Sequence, residues 1–281
     1  MKLAIASGKG GTGKTTIATN LAYVASRNGQ TVAYLDCDVE EPNGHIFLKP
    51  KITSREPVGG LVPEVDKDKC THCGKCGEIC QYSAIVCVGD QVLVFPQLCH
   101  ACGGCLLVCP VDAITEVPRP MGQLETGQAG PIGFVHGLLN VGEAMSPPVI
   151  RAVKAAMPEV DLVILDAPPG TSCPVIEGIR DSDFVILVTE PTPFGLNDLK
   201  LAVEMVRALE LPFCVVINRA DVGNDDVNQY CRQNGIEVLA QIPDDRRIAE
   251  AYSRGSMICE ALPDYQSIFA ELLKDVTDRA T

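Results

Sequence analysis

The sequence predicts an α/β chain: a doubly wound, mostly parallel sheet whose two halves are separated by a small inserted α+β module. Three observations carry that prediction. Short apolar runs alternate with helical patterns along most of the 281 residues, as parallel strands joined by crossover helices require. A glycine-rich loop follows the first apolar run directly. In the stretch 61–118 the alternation stops, and nine of the fourteen cysteines crowd together, eight of them in two regular runs.

Leu3 to Ser7 reads as the first strand, Lys14 to Arg27 as a helix, and Thr31 to Leu35 as a second strand ending in Asp36-Cys37-Asp38. After the insert, Asp161 to Leu165, Phe184 to Thr189, Phe213 to Ile217 and Glu237 to Ile242 are strand-like, and each precedes a helical pattern. Turn-rich stretches bracket the insert, Pro57-Val58-Gly59-Gly60 on one side and Pro118-Arg119-Pro120-Met121-Gly122 on the other. They divide the chain into residues 1–60 and 119–281 of one split α/β domain and a module at 61–118. Near the end, Ile268, Phe269, Leu272 and Val276 form a helical apolar stripe expected to pack on the sheet.

The loop Gly8-Lys9-Gly10-Gly11-Thr12-Gly13-Lys14-Thr15-Thr16 has the composition of a phosphate cradle. Backbone N–H groups from Gly10 to Thr15 face phosphate at a helix N-terminus, Lys14 reaches the β and γ oxygens, and the Thr15 hydroxyl ligates Mg²⁺. Asp166 ends the apolar run Leu162-Val163-Ile164-Leu165, where it meets the magnesium ion through bound water. Gly170, behind the stiff Pro168-Pro169 pair, offers an N–H to a γ-phosphate. Asp36 and Asp38 sit at the tip of the second strand, one suited to a metal-bound water and the other to the attacking water.

The cysteines fall into two copies of one spacing, Cys70-x2-Cys73-x2-Cys76-x3-Cys80 and Cys99-x2-Cys102-x2-Cys105-x3-Cys109-Pro110. This is the ligand pattern of a bacterial ferredoxin with two 4Fe-4S clusters. Three thiolates two residues apart wrap one iron-sulfur cube, while the fourth points to the other cube. Ligation is therefore expected to cross: Cys70, Cys73, Cys76 and Cys109 on one cluster, and Cys99, Cys102, Cys105 and Cys80 on the other. Ala84-Ile85 and Ala113-Ile114 recur at the same offset, so the segment is an internal pseudo-repeat. A zinc ribbon asks for two Cys-x2-Cys pairs instead, and disulfides do not suit a reducing compartment. His72 and His100 are expected to face solvent or to lie behind the ligands. Cys37, Cys87, Cys214, Cys231 and Cys259 read as packing residues, and Cys173 as a buried small residue.

A start at Met1-Lys2-Leu3-Ala4-Ile5-Ala6-Ser7 leaves no room for a signal peptide, and no apolar run reaches the ~18 residues of a membrane span, so a cytoplasmic protein is expected. A net charge of −13 opposes binding to nucleic acid or anionic lipid. It suits a redox partner with a basic docking face.

Together these residues resemble the MinD/ParA/nitrogenase-iron-protein group of P-loop ATPases, and within it the MinD-like ATPases with an inserted two-cluster ferredoxin domain. The marker is Lys9, a second lysine near the start of the loop, which makes a deviant Walker A motif. The resemblance implies ATP as the nucleotide and an ATP-sandwiched homodimer, with Lys9 reaching across to the partner's nucleotide. It implies that Asp36 and Asp38 form switch I, Asp38 at the water-activating position, and that Asp166-Ala167-Pro168-Pro169-Gly170 is switch II. Asn218, in Val215-Val216-Ile217-Asn218-Arg219, is similar to the group's adenine-reading asparagine. No basic amphipathic anchor like that of MinD is expected from the stretch Asp264 to Asp275, whose polar face is acidic. Cys173 lies seven residues after Asp166, as does a cluster-bridging cysteine of the nitrogenase iron protein, but the second bridging cysteine has no counterpart in the Ile132 to Asn140 region. The expected role is ATP-driven dimer switching coupled to electron transfer through two 4Fe-4S clusters. An iron-sulfur assembly scaffold serving an acceptor protein is the alternative, followed by a redox-sensing partition ATPase.

Overall fold

A computed structural model describes residues 1–280; Thr281, the last residue of the second α/β segment, lies outside the described residues. The chain divides into two compact units, Met1–Arg55 with Leu124–Leu138 and Ile150–Thr281, and Glu56–Gln123 with Leu139–Val149. Its strands are β1 (Lys2–Ala6), β2 (Val32–Asp36), β3 (Lys51–Val65), β4 (Ile85–Val88), β5 (Gln91–Val94), β6 (Ile114–Ala129), β7 (Ile132–Leu139), β8 (Leu162–Asp166), β9 (Phe184–Thr189), β10 (Phe213–Asn218) and β11 (Val238–Ile242).

The first unit is built on a sheet of order β11-β10-β9-β1-β8-β2-β7-β6-β3. The ladders from β11 through β7 are all parallel. Every residue of β2, β8 and β9 is buried, because helices on both faces leave a parallel strand no wet side. Helix Lys14–Arg27 contributes Ile17 and Leu21 to this core, and helix Gln266–Ala280 contributes Phe269, Leu272 and Val276. The stripe expected to pack on the sheet does so through these three residues, with Ile268 partly buried beside them. The strands expected from the apolar runs are all present, with β1, β2 and β8 displaced by about a residue.

The register aligns Ile5 with Asp166, Asp166 with Asp36, and Asp36 with His136. The carboxyl ends of β1, β8, β2 and β7 thus form one row, the edge of an open α/β sheet where ligands bind.

The bracketing stretches differ from the sequence reading. Pro57 to Gly60 lies inside β3 and Pro118 to Gly122 inside β6, so both are strand and not turn. Lys51 approaches Gly127 and Gly59 approaches Arg119, an opposite order along the two chains that makes β3 and β6 antiparallel. β3 ends the sheet order, and an edge strand tolerates prolines because one side of its ladder is open. Gly59 is needed for a separate reason: a Cβ there would run into the Arg119 carbonyl. The second compact unit accordingly begins at Glu56 and ends at Gln123, and it also takes in Leu139–Val149, a segment the sequence reading gave to the α/β domain.

Within the second unit, β4 and β5 pair as an antiparallel hairpin. Helices Lys75–Ile79 and Gly104–Leu107 are each about one turn long, and Cys76, Ile85 and Ile114 form a small buried cluster, with Val62, Ala84, Ala113 and Met121 also buried in the unit. The pseudo-repeat extends to unusual backbone. His72 and Ala101, each two residues after a run's first cysteine, have φ of 57° and 53°. Ser83 and Asp112, each three residues after a run's last cysteine, have φ of 53° and 50°. Non-glycine residues seldom adopt the left-handed region, and here they do so in matched pairs. Arg119 and Glu143 form a 2.6 Å ion pair in the same unit.

Candidate functional site

In the first unit, the loop between β1 and helix Lys14–Arg27 floors a cleft of about 1200 Å³. Gly10, Gly11, Gly13, Lys14, Thr15 and Thr16 line it from below, Asp38, Glu41 and Asn43 from the segment after β2, and Asn218, Arg219, Pro243, Asp244, Asp245, Ile248 and Tyr252 from the far side. Much of that space is open solvent; the enclosed part, about 380 Å³, lies within the ~300–1000 Å³ typical of small-ligand pockets, which leaves room for a nucleotide. Of the expected residues, Gly8, Lys9, Thr12, Asp36, Asp166 and Gly170 stand behind this lining.

Asp166 is fully buried, and its Oδ2 accepts the Tyr34 hydroxyl at 2.8 Å. Its Oδ1 is buried with no partner. An orphaned carboxylate oxygen beside the Thr15 hydroxyl is a donor set that fits a hydrated Mg²⁺. Burial raises the carboxyl above its ordinary range, while Lys14, the nearby Thr15 hydroxyl and the hydrogen bond from Tyr34 pull it back. Asp36 is also raised, by burial and by the neighbouring Asp166. Both of its oxygens are engaged: Oδ1 accepts the Asp38 N–H at 3.1 Å and Oδ2 the Gly44 N–H at 2.9 Å. Asp36 therefore shapes the segment that carries Asp38. Burial lifts Asp38 to about 6, against the pull of Lys14, close to the range of a general base near neutral pH.

Lys9 pairs with Glu190 at 3.5 Å, and Arg219 bridges Glu190 at 3.3 Å and Asp244 at 3.5 Å. The Gly170 N–H donates to the Ser7 carbonyl at 3.0 Å, so donation to a γ-phosphate requires that bond to be given up. Asn218 donates from Nδ2 to the Thr12 carbonyl at 2.9 Å, which ties the end of β10 to the loop. Tyr34 and Glu190 escaped the sequence reading. Tyr34 had a signal, since it lies two residues before Asp36 and so on the same strand face; Glu190 had only its place after an apolar strand.

In the second unit the cysteines gather at two cavities. Cys70, Cys73, Cys76 and Cys109 line one, with Thr71 and His72. Cys80, Cys99, Cys102 and Cys105 line the other, with Tyr82, His100 and Glu116. Each cavity takes three cysteines from one run and the last cysteine of the other. The Ala84 N–H donates to Cys80 Sγ and the Ala113 N–H to Cys109 Sγ, both at 3.3 Å, and the Ala101 N–H reaches Cys99 Sγ at 3.4 Å. Burial raises the Cys76 and Cys105 thiols. At Cys80 burial also acts upward, but N–H groups of residues 82–85 outweigh it and lower the thiol. Soft thiol donors braced by backbone N–H groups fit iron-sulfur ligation. Among the described residues no three His, Cys, Asp or Glu side chains converge on a single-ion site.

His72 and His100 are exposed, and His100 stacks on Tyr82 at 3.5 Å. Cys37, Cys214, Cys231 and Cys259 are buried as expected, whereas Cys87 is only partly so. Cys173 is a correction: it is exposed at the start of helix Cys173–Ile179, because a proline-capped first turn leaves that position outside the core. No helix among the described residues is long and apolar enough to cross a membrane.

The phosphate loop, the buried Asp166 and the row of strand ends define a P-loop ATPase. The chain belongs to the CobQ/CobB/MinD/ParA nucleotide-binding domain family, whose profile matches residues 3–258. It is 33% identical to an uncharacterized protein of Methanocaldococcus jannaschii, over 99% of this chain and 96% of that one. It is 24% identical to the iron-sulfur cluster carrier protein of the same organism, over 98% of this chain and 84% of that one. Among solved structures, the fold is similar to the septum site-determining protein MinD complexed with Mg-ADP from Pyrococcus horikoshii, with a TM-score of 0.62, 20% identity, and coverage of 99% of this chain and 96% of that one.

Proposed function

We propose that this ATPase holds two 4Fe-4S clusters, one on Cys70, Cys73, Cys76 and Cys109 and the other on Cys80, Cys99, Cys102 and Cys105, and couples nucleotide-driven homodimer switching to electron transfer. The observation that carries the reading is the pair of four-cysteine cavities on a chain whose other unit is a P-loop ATPase. The clusters supply one-electron chemistry at low potential. In the nucleotide unit, Lys14 would neutralise phosphate charge, Thr15 and Asp36 would hold Mg²⁺ directly or through water with Asp166 meeting the ion through its bound water, Asp38 would orient the attacking water, and Asn218 with Arg219 would face the base. Lys9 leaves Glu190 to serve a partner subunit's nucleotide. β3 starts in the nucleotide unit and runs on past Glu56, so a switch that moves the segment after Asp38 acts on a strand that enters the cysteine-bearing unit.

A second reading is favoured by the relatives named iron-sulfur cluster carriers: an ATP-dependent carrier that passes its clusters to an acceptor protein. Closed sets of four thiolates favour retained clusters, since delivery needs exchangeable ligands. The test is an anaerobic potentiometric titration with and without a nonhydrolysable ATP analogue, followed by incubation with an apo-ferredoxin. Retained clusters whose midpoint shifts with nucleotide support electron transfer. By linkage, a tenfold difference in nucleotide affinity between redox states equals about 59 mV for one electron. Superimposable titrations with cluster appearing in the apo-protein would favour the carrier.

A further inference from the structure

We propose that Tyr34 is a positioning residue of the ATPase reaction, whose hydroxyl orients the Asp166 carboxylate toward Mg²⁺ and links it to the segment after Asp38. The inference rests on the reading of Asp166 as the carboxylate that faces the ion. Tyr34 sits in the middle of β2, a strand buried along its whole length, and is itself 0% exposed. A buried hydroxyl is costly there unless it has a partner, and an aliphatic residue would fill an ordinary core position. Its partner is Asp166 Oδ2, at 2.8 Å.

Two further contacts fix the ring. One face stacks on Phe134, centroids 5.8 Å apart and planes within 12°. On another side lies Gly44, where a Cβ would collide with the tyrosine ring and hydroxyl. Gly44 is also the residue whose N–H holds Asp36 Oδ2, while Asp36 Oδ1 holds the Asp38 N–H. One side chain therefore touches both the magnesium carboxylate and the anchor of the segment that carries Asp38. Donation to Oδ2 leaves Oδ1 as the unpartnered oxygen, which selects the oxygen available to an ion's hydration shell.

Loss of this hydrogen bond leaves the Asp166 carboxylate free to rotate, and outer hydrogen bonds to metal-facing groups are worth roughly 10–100-fold in metal affinity. Tyr34→Phe keeps the ring and its stacking. ADP affinity of the full chain, measured by calorimetry in EDTA and again in excess Mg²⁺, gives the strengthening due to the ion. The expected result is an unchanged affinity in EDTA and roughly a tenfold or greater loss of the Mg²⁺-dependent part. Gly44→Ala, which displaces the ring, is expected to give the same split. Equal weakening with and without Mg²⁺ would mark a folding effect and overturn the proposal, as would full Mg²⁺ strengthening in Tyr34→Phe. Asp166→Asn separates the two levels. If it loses the Mg²⁺ effect while Tyr34→Phe keeps it, Tyr34 alone has been misassigned; if Asp166→Asn also keeps it, the reading of Asp166 falls too.

Discussion

The two units of this chain are stabilised by different means. The nucleotide unit has strands buried from end to end and two long helices that drive Leu21, Phe269 and Val276 into one core. The cysteine-bearing unit buries Cys76, Ile85 and Ile114 and leaves Ile79, Tyr82, Leu98 and Leu107 exposed. A unit that small rarely holds together on apolar burial alone. All fourteen cysteines are free thiols, so no disulfide staples it. The difference teaches that a hydrophobic core specifies one unit, while on the proposed function thiol ligation of metal would specify the other.

The largest effect should come from removing metal, which sets the two units against each other. Anaerobic protein is expected to hold about eight irons per chain. Chelating them should make the segment between Glu56 and Gln123 sensitive to protease, while the nucleotide unit keeps its thermal transition and its ADP binding. Limited proteolysis with mass spectrometry reads both. Stoichiometric zinc, or an unchanged digestion pattern after iron loss, would remove the contrast.

Next in size are the loop lysines. Lys14 is buried at the cleft floor, whereas Lys9 is 33% exposed and paired with Glu190. Lys14→Ala should abolish measurable nucleotide binding, and Lys9→Ala should leave binding in place but lose ATP-driven dimerisation, seen by light scattering. Iron content should not change in either. Equal loss of binding in both variants would place the two lysines in one role.

The nucleotide unit was legible in sequence wherever burial is two-sided. Continuous apolar runs such as Leu162 to Leu165 have one sensible fate, and the loop motif names its own contacts. The cysteine repeat was also visible as two runs of four, and each cavity draws three thiols from one run and one from the other. What escaped were the strands that leave the parallel core. β3 and β6 carry Pro57, Pro63, Pro118 and Pro120 within their lengths, and proline and glycine signal turns to any local reading. Their pairing partner lies more than fifty residues away along the chain, so no nearby residue discloses it. Tyr34 was missed for the opposite reason. In a run of Val32, Ala33, Tyr34 and Leu35 its ring looked like core, and only the aligned Asp166 two strand positions away reveals what the hydroxyl does.

A core truncation sharpens the comparison at moderate size. Phe269 is fully buried in the nucleotide unit's core, and Phe→Ala at such a site costs about 3–5 kcal/mol. Phe269→Ala should lower the unfolding free energy of the nucleotide unit, read from a denaturant titration, by that amount without changing iron content or the cluster absorption. A parallel loss of iron would mean that the cysteine-bearing unit borrows its stability from this core.

The smallest expected effect is an acid response confined to the nucleotide unit. Asp245 caps helix Arg246–Ser253 by accepting the Arg247 N–H at 2.8 Å, and it also holds the Arg247 guanidinium and the Tyr265 hydroxyl. The Arg247 side-chain bond, then the backbone bond, then Tyr265 hold its carboxyl down at about 2, from an ordinary 3.8. A depressed acid stabilises the folded chain above its unfolded value and loses that contribution as pH falls through the folded one. The window therefore runs from about pH 4 down to about pH 2. Asp245 is partly buried but still reached by solvent, and its partner Arg247 is exposed, so salt screens part of the effect. Asp245→Asn keeps a capping oxygen but no charge, and its melting temperature should fall less steeply than the parent's across that window. The difference between the two should shrink in high salt. Parallel curves at both ionic strengths would show that the Arg247 pair does not hold the proton off, and that the cap works through its hydrogen bond regardless of charge.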